Sequence, residues 1–259
     1  MTNRPSQWKY QPETLQGKSV VITGGTTGIG RATALLAASQ GARVLIFGRH
    51  EAELRDALEE IRHVGQVVGL TADQTREEDI HRVFAAVDDQ LGGVDVLVNN
   101  AGVPAESVET GAYRGWEYVI KANILGYMAC AREAIDRMKR RGGGHIVNIG
   151  SLSADERGKG TDVYVATKAA VQAWSESLSK QVNQEGIRVT LIEPGFVGTS
   201  FPMENPPDQD VMEARMEMLT AEDIAECILY CLIQPRRCNI MDIKLRPLLS
   251  KSDHAAKLS

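Results

Sequence analysis

Val20-Val21-Ile22-Thr23-Gly24-Gly25-Thr26-Thr27-Gly28-Ile29-Gly30 joins a β-branched run to a helical pattern through a cluster of glycines. The run, Ser19–Ile22, carries the stiff side chains that suit a buried, pleated strand. The pattern beyond it, Ala32–Ser39, repeats apolar residues at helical spacing. Between them, Gly24 permits a tight turn, Gly28 lets backbone approach a pyrophosphate, and Gly30 lets helix and strand pack closely. Thr26, Thr27 and Ile29 complete the turn, and the helix start presents free N–H groups to an anion. A glycine-rich turn without a ligand has the same composition. The strand before this one and the helix after it favour a phosphate-binding turn.

The same alternation continues along the chain. Arg43–Phe47, Gln66–Leu70, Val94–Val98, His145–Ile149, Arg188–Ile192 and Ile240–Leu245 read as strands. Glu51–Val64, a region from Tyr113 to Arg140, Tyr164–Gln184 and Thr220–Leu232 read as helices between them. Thr75 with Glu78 has the spacing of a capping box that opens one more helix. Strands that are apolar nearly throughout and separated by helices imply a parallel sheet covered on both faces. The expectation is an α/β fold, a Rossmann-like doubly wound parallel sheet of about seven strands in three layers, α/β/α. No linker, repeat or low-complexity stretch divides residues 1–259, so they read as a single domain with its core over about 18–247. The sizeable insertion is 200–219, rich in Pro, Met and Glu, and the tails read as loose or used in assembly.

Bulk composition removes several classes of function. The chain is 43% hydrophobic and 24% charged, as in an ordinary globular protein. A net charge of -5 creates no field that would gather nucleic acid or anionic lipid. No apolar run reaches the ~18 residues of a membrane span, and the first ten residues lack the apolar core of a leader. A cytoplasmic location is the expectation. Of the cysteines Cys130, Cys227, Cys231 and Cys238, two stand one helical turn apart, yet no histidine pair or further cysteine cluster completes a metal site. They read as small buried groups in a reducing compartment, with no metal expected.

Cofactor choice is written at the end of the second strand. A carboxylate there would bind the ribose 2′-hydroxyl of NAD, whereas arginine pairs with the 2′-phosphate of NADP. The sequence offers Gly48 and then Arg49, which favours NADP(H) over NAD(H). Acid–base chemistry is written at Tyr164-Val165-Ala166-Thr167-Lys168. Positions i and i+4 share a helix face, so phenol and ammonium lie side by side, and the cation favours phenolate. Such a group protonates an alkoxide, or deprotonates an alcohol in reverse. Ser151 ends a strand on the side where ligands sit in parallel sheets, placed to donate to a carbonyl oxygen. Ser153 competes for that role or is a loop residue.

With these residues assembled, the chain resembles the short-chain dehydrogenase/reductase family in its single-domain form, over about Lys18 to Pro247. Thr23-Gly24-x-x-x-Gly28-x-Gly30 matches the family's cofactor turn, and Asn99-Asn100-Ala101-Gly102 its signature after the fourth strand. Asn123, Ser151, Tyr164 and Lys168 match its catalytic tetrad, and Pro194-Gly195-Phe196-Val197-Gly198-Thr199 its nicotinamide-carboxamide segment. The resemblance implies an enzyme acting on CH–OH groups, with Tyr164 as general acid/base and Lys168 lowering its pKa while holding the nicotinamide ribose. It further implies that Ser151 positions the substrate oxygen, Asn123 holds a relay water, and Asp73 meets the adenine amino group. Asn100, Ala101, Gly102, Pro194, Gly195, Val197 and Thr199 would also touch the cofactor. A homotetramer or homodimer is implied, built on the helices carrying Asn123 and Tyr164, with Trp174 and Leu178 as contacts or plain core.

The sequence departs from the family pattern at Thr27, where NADP-dependent relatives often carry a basic residue, at Gly150 and at Gln74. Its C-terminal segment looks more like the branch acting on small hydroxy acids and similar alcohols. The loop 155–162 and the insertion, with Phe201, Met203, Met212, Met216 and Met218, are expected to wall the substrate site. There Arg157 is either a carboxylate grip or a solvated rim charge. The main reading is NADP(H)-dependent hydride transfer to or from a small carbonyl or secondary alcohol. Its rivals are an NAD-linked dehydrogenase of the same family, a dinucleotide-sensing scaffold, and an epimerase or dehydratase.

Overall fold

The computed structural model describes residues 9–158, 160–198 and 208–249. In chain order it runs β1 (Ser19–Thr23), α1 (Gly28–Ser39), β2 (Arg43–Gly48), α2 (Glu51–Arg62), β3 (Gln66–Thr71), α3 (Glu77–Leu91) and β4 (Val96–Asn99). Next come α4 (Tyr113–Ile120), a π-helical turn (Lys121–Leu125), α5 (Gly126–Arg140), β5 (Gly144–Ile149) and a one-turn α6 (Ser153–Glu156). The remainder is α7 (Asp162–Val182), β6 (Ile187–Pro194), α8 (Gln209–Ala214), α9 (Ala221–Leu232) and β7 (Asp242–Leu245).

Seven strands form one sheet in the order β3-β2-β1-β4-β5-β6-β7, every pairing parallel. This is the Rossmann-like α/β architecture expected. Alternate residues of one strand feed opposite faces. Val20 and Ile22 enter a cluster with Val44, Ile46, Ala57, Ile61 and Ile228, under α1, α2 and α9. Val21 enters another with Leu45, Phe84, Val87, Leu97, Met138 and Ile146, under α3 and α5. Both faces are dry, which is why β1 is buried at all five positions. Each fully buried Leu, Ile or Phe stabilises by about 1.5–3 kcal/mol. The strand order reverses between β1 and β4, and a cleft opens there beyond the carboxyl ends.

Several local expectations are corrected. Thr75 does not cap α3: the helix begins at Glu77 behind Arg76, which makes no side-chain cap. Instead the Asp73 carboxylate accepts from the Thr75 amide at 2.9 Å, and Asp79 accepts from the Asp73 amide at 2.9 Å. Asp73 thereby takes the Thr75 amide from which the Glu78 side chain would accept in a capping box. The region from Tyr113 to Arg140 is helical throughout but not uniformly α, because the π-turn interrupts it. Thr220 caps α9 instead, with Asp223 completing a capping box. Within the 200–219 insertion, α8 and the stretch to Leu219 are described, with Met218 buried. Phe201, Met203 and Thr199 lie outside the described residues.

Candidate active site

Beyond the carboxyl ends lies a cavity of about 710 Å³, within the usual range for small-molecule sites. Gly24, Thr26, Thr27, Gly28, Ile29, Arg49, Asp73, Asn100, Ala101, Gly102, Ser151, Tyr164, Lys168, Pro194, Gly195 and Val197 all line it. Gly30 and Asn123 are not in its wall but directly behind it.

The glycine turn is shaped by close approach. Gly24 sits at φ 63°, and a Cβ there would fall 2.9 Å from Ala101 Cα. A Cβ on Gly30 would fall 2.2 Å from the Gly24 carbonyl oxygen. Thr27 precedes α1 without making a side-chain cap, so the helix N-terminus is left for another acceptor. The turn is sewn to β4 by Thr23, whose hydroxyl accepts from the amides of Asn100 and Ala101 at 3.0 and 2.9 Å. Asn100 Nδ2 donates to the carbonyls of Thr23 and Gly24. Asn99 donates to Asn148 Oδ1 at 2.9 Å and so ties β4 to β5. A backbone cradle closed to side chains and ending on an uncapped helix fits a dinucleotide pyrophosphate.

Two residues add to this end of the cleft beyond the sequence reading. The Tyr118 hydroxyl accepts from Arg49 and donates to Asp73 Oδ2 at 3.2 Å, with the guanidinium 5.6 Å from its ring centre. Burial raises the Tyr118 pKa. Tyr118 had no sequence signal beyond helical periodicity. Gln74, noted for its polarity, is 7% exposed and donates to the carbonyls of Ala101 and Ala122 at 3.1 and 2.6 Å. It thereby ties the Asn100–Gly102 turn to the π-turn. Its Oε1 is buried with no partner among the described residues.

The reacting end is built on β5, the π-turn and α7. Thr161 caps α7 through the Tyr164 amide and anchors to the Ala105 carbonyl at 2.8 Å. Lys168, 3% exposed, donates from Nζ to the Ile149 carbonyl at 2.8 Å and stands 5.8 Å from the Tyr164 ring centre. Burial lowers its pKa to about 8, against an upward pull from Glu193. Tyr164 is held above its ordinary pKa by burial, and a hydrogen bond from Ser151 works the other way. The expected lowering by Lys168 is therefore not what dominates here. Desolvation of the phenolate outweighs the charge one turn away.

Asn123 is fully buried in the π-turn. Its Oδ1 accepts from the Val103 amide at 2.9 Å, and its Nδ2 donates to Val103 O and Thr167 Oγ1. A Cβ on Gly102 would lie 3.5 Å from Asn123 Oδ1 and 3.7 Å from Lys168 Nζ, so both polar tips approach one spot. Ser153 does not face the cavity; it stands behind Ser151 and donates to it. Arg157, at φ 49°, donates to Ala154 O and is absent from the cavity wall, which argues for the rim reading. Leu178 belongs to the core, with Trp174 packed against it. No group of three or more potential metal ligands occurs among the described residues.

A family model described as short chain dehydrogenase matches residues 18–210. An uncharacterized oxidoreductase of Staphylococcus aureus is 34% identical over 236 residues, covering 90% of this chain and 99% of that one. Among solved structures, the closed form of a serine dehydrogenase complexed with NADP+ is 30% identical with a TM-score of 0.79, covering 89% of this chain and 95% of the other. L-sorbose reductase from Gluconobacter frateurii, complexed with NADPH and L-sorbose, shares the fold at a TM-score of 0.83 and 24% identity, covering 93% and 99%.

Proposed function

The chain belongs to the short-chain dehydrogenase/reductase family, and on that basis we propose that it reduces a small carbonyl compound, or oxidises the matching secondary alcohol, using NADP(H). As a member it is an NAD(P)-dependent oxidoreductase acting on CH–OH groups. The observation that carries the finer reading is one cleft with Arg49 at one end and Ser151, Tyr164 and Lys168 at the other. A bound nicotinamide supplies or accepts the hydride.

The chain's own residues handle binding and the proton. The α1 N-terminus and glycine turn receive the pyrophosphate, and Arg49 pairs with the 2′-phosphate. Thr199, Pro194, Gly195 and Val197 take the carboxamide side, and Asp73 the adenine side. Ser151 donates a hydrogen bond to the substrate oxygen, and Tyr164 delivers a proton to it in reduction or removes one in oxidation. Lys168, carrying a buried charge, stabilises the phenolate form. Asn123 completes the relay behind Gly102. The serine dehydrogenase relative with NADP+ supports the same cofactor choice. The filled tetrad favours an enzyme over a scaffold.

The proposal extends to a homotetramer or homodimer, supported by exposed apolar Ile120, Leu125 and Met128 along the helix that carries Asn123. No helix among the described residues is long and apolar enough to cross a membrane, which is compatible with the proposed cytoplasmic location. The test is a fluorescence titration with NADPH and NADH, followed by NADPH oxidation against a panel of ketones and hydroxy-ketones. Binding of neither nucleotide overturns the proposal.

A further inference from the structure

Ser151 is held by a neighbour that does not touch the cavity. Its Oγ accepts twice from Ser153, from the hydroxyl at 2.9 Å and from the amide at 3.2 Å. Ser153 is 8% exposed, on the first turn of α6, and α6 is fixed by the Leu152 amide donating to Pro194 O and by the Glu156 amide donating to Leu152 O. A hydroxyl has one proton to give and two lone pairs to receive. With both lone-pair directions taken from behind, the Ser151 proton has only the cavity side left. There it meets Tyr164, with which Ser151 is hydrogen-bonded.

We infer that Ser153 is a positioning residue, which fixes the polarity of the Ser151 hydroxyl so that it donates into the reaction site and does not accept there. The inference rests on the proposed roles of Ser151 and Tyr164 and adds a residue to them. Its chemical content is directional. A Ser151 free to rotate would spend part of its time accepting from the Tyr164 phenol, which favours the neutral phenol and leaves the substrate oxygen without its donor. A Ser151 filled from behind donates to whichever oxygen carries charge, phenolate or developing alkoxide. One hydrogen bond thereby serves both states of the proton transfer. The Ser153 amide alone leaves one lone pair open, so the side chain is the deciding donor.

The test uses the full chain with tyrosine labelled at 13Cζ, the Tyr164 signal being assigned by its loss in Tyr164→Phe. Ser153→Ala is expected to raise the apparent pKa of Tyr164 by about half a unit or more. It should also lower kcat by about three- to tenfold, with NADPH affinity unchanged. Ser153→Thr, which keeps the hydroxyl, should restore both. In a Ser151→Ala background, Ser153→Ala should have no further effect on the Tyr164 signal. An unmoved Tyr164 titration in Ser153→Ala, or an equal shift with Ser151 absent, overturns the inference. The NMR readout needs no substrate, so a failure of carbonyl reduction in the unaltered protein would count against the proposed function alone.

Discussion

Lys168 and Tyr164 occupy one face of α7, yet the ammonium donates to the Ile149 carbonyl and stays 5.8 Å from the phenol ring centre. The lysine thus anchors α7 to the end of β5, next to Ser151, and its charge reaches the phenol across a gap. Lys168 is buried and Tyr164 half-buried, and loss of solvent pushes both groups towards their neutral forms.

Replacing Tyr164 by Phe removes the proton donor and leaves the cavity shape almost unchanged. Turnover should fall by about 10²–10⁴-fold. NADPH affinity, read by fluorescence, should stay within about twofold, since the phenolic oxygen is not the cofactor's main anchor. Retained turnover would take Tyr164 out of the mechanism.

Arg49 lies in the cavity wall against Tyr118. Arg49→Ala should weaken NADPH binding by about 10–100-fold, the worth of a charge-assisted pair with phosphate, and barely change NADH. Tyr118→Phe should give a smaller loss in the same direction, because it only frees the guanidinium from its rest. Equal NADH and NADPH affinity in the unaltered protein would sink the 2′-phosphate role and leave an NAD-linked enzyme.

Gly30→Ala drives a methyl group to 2.2 Å from the Gly24 carbonyl oxygen and 2.5 Å from Asn100 Nδ2. Backbone must move to admit it, at a cost of about 1–3 kcal/mol in urea unfolding. Because the displaced atoms form the pyrophosphate turn, both nucleotides should lose affinity together. A variant that binds NADPH normally would show that the turn can relax.

Glu193 has no exposed side-chain surface, and its Oε1 lacks a partner among the described residues. Asp155, Asp242, Lys244 and Gln172 face it, and burial, reinforced by Asp242, raises its pKa to about 7 from an ordinary 4.5. Between those values the folded chain holds a proton that the unfolded chain releases. The contribution to stability is full below pH 4.5 and is lost as pH rises through 7. Glu193→Gln should therefore gain stability relative to the unaltered protein on going from pH 5 to pH 8. Urea unfolding at the two pH values reads it, and an equal difference at both would refute it.

The sheet was legible because its inner strands are apolar almost throughout, and the glycine spacing at Gly24, Gly28 and Gly30 marked where the first crossover begins. Tyr164 and Lys168 were legible because i and i+4 share a helix face whatever surrounds them. What stayed hidden depends on long-range contact or backbone register. Arg49 and Tyr118 are 69 residues apart in sequence, so their pairing leaves no local trace. Glu193 packs against the residue just past the end of β5, where a Cβ on Gly150 would lie 3.0 Å from its Cγ. The direction of the Tyr164 shift was misjudged because spacing reveals the nearby charge and conceals the depth of burial.

The π-turn at Lys121–Leu125 also sets what length changes the chain tolerates. A turn wound wider than α contains surplus backbone, and deleting one residue there would let it relax to ordinary winding. Because the widened turn already holds the extra residue, α5 beyond it would keep its phase. The same deletion in regular α winding would rotate everything beyond it by about 100°, one residue's share of a 3.6-residue turn. Tyr127 and Cys130 would stay in the core, and the loss would fall on Asn123, which is buried within the wider turn itself. The long helix thus carries, at the one point where Asn123 sits, a residue more than regular winding needs.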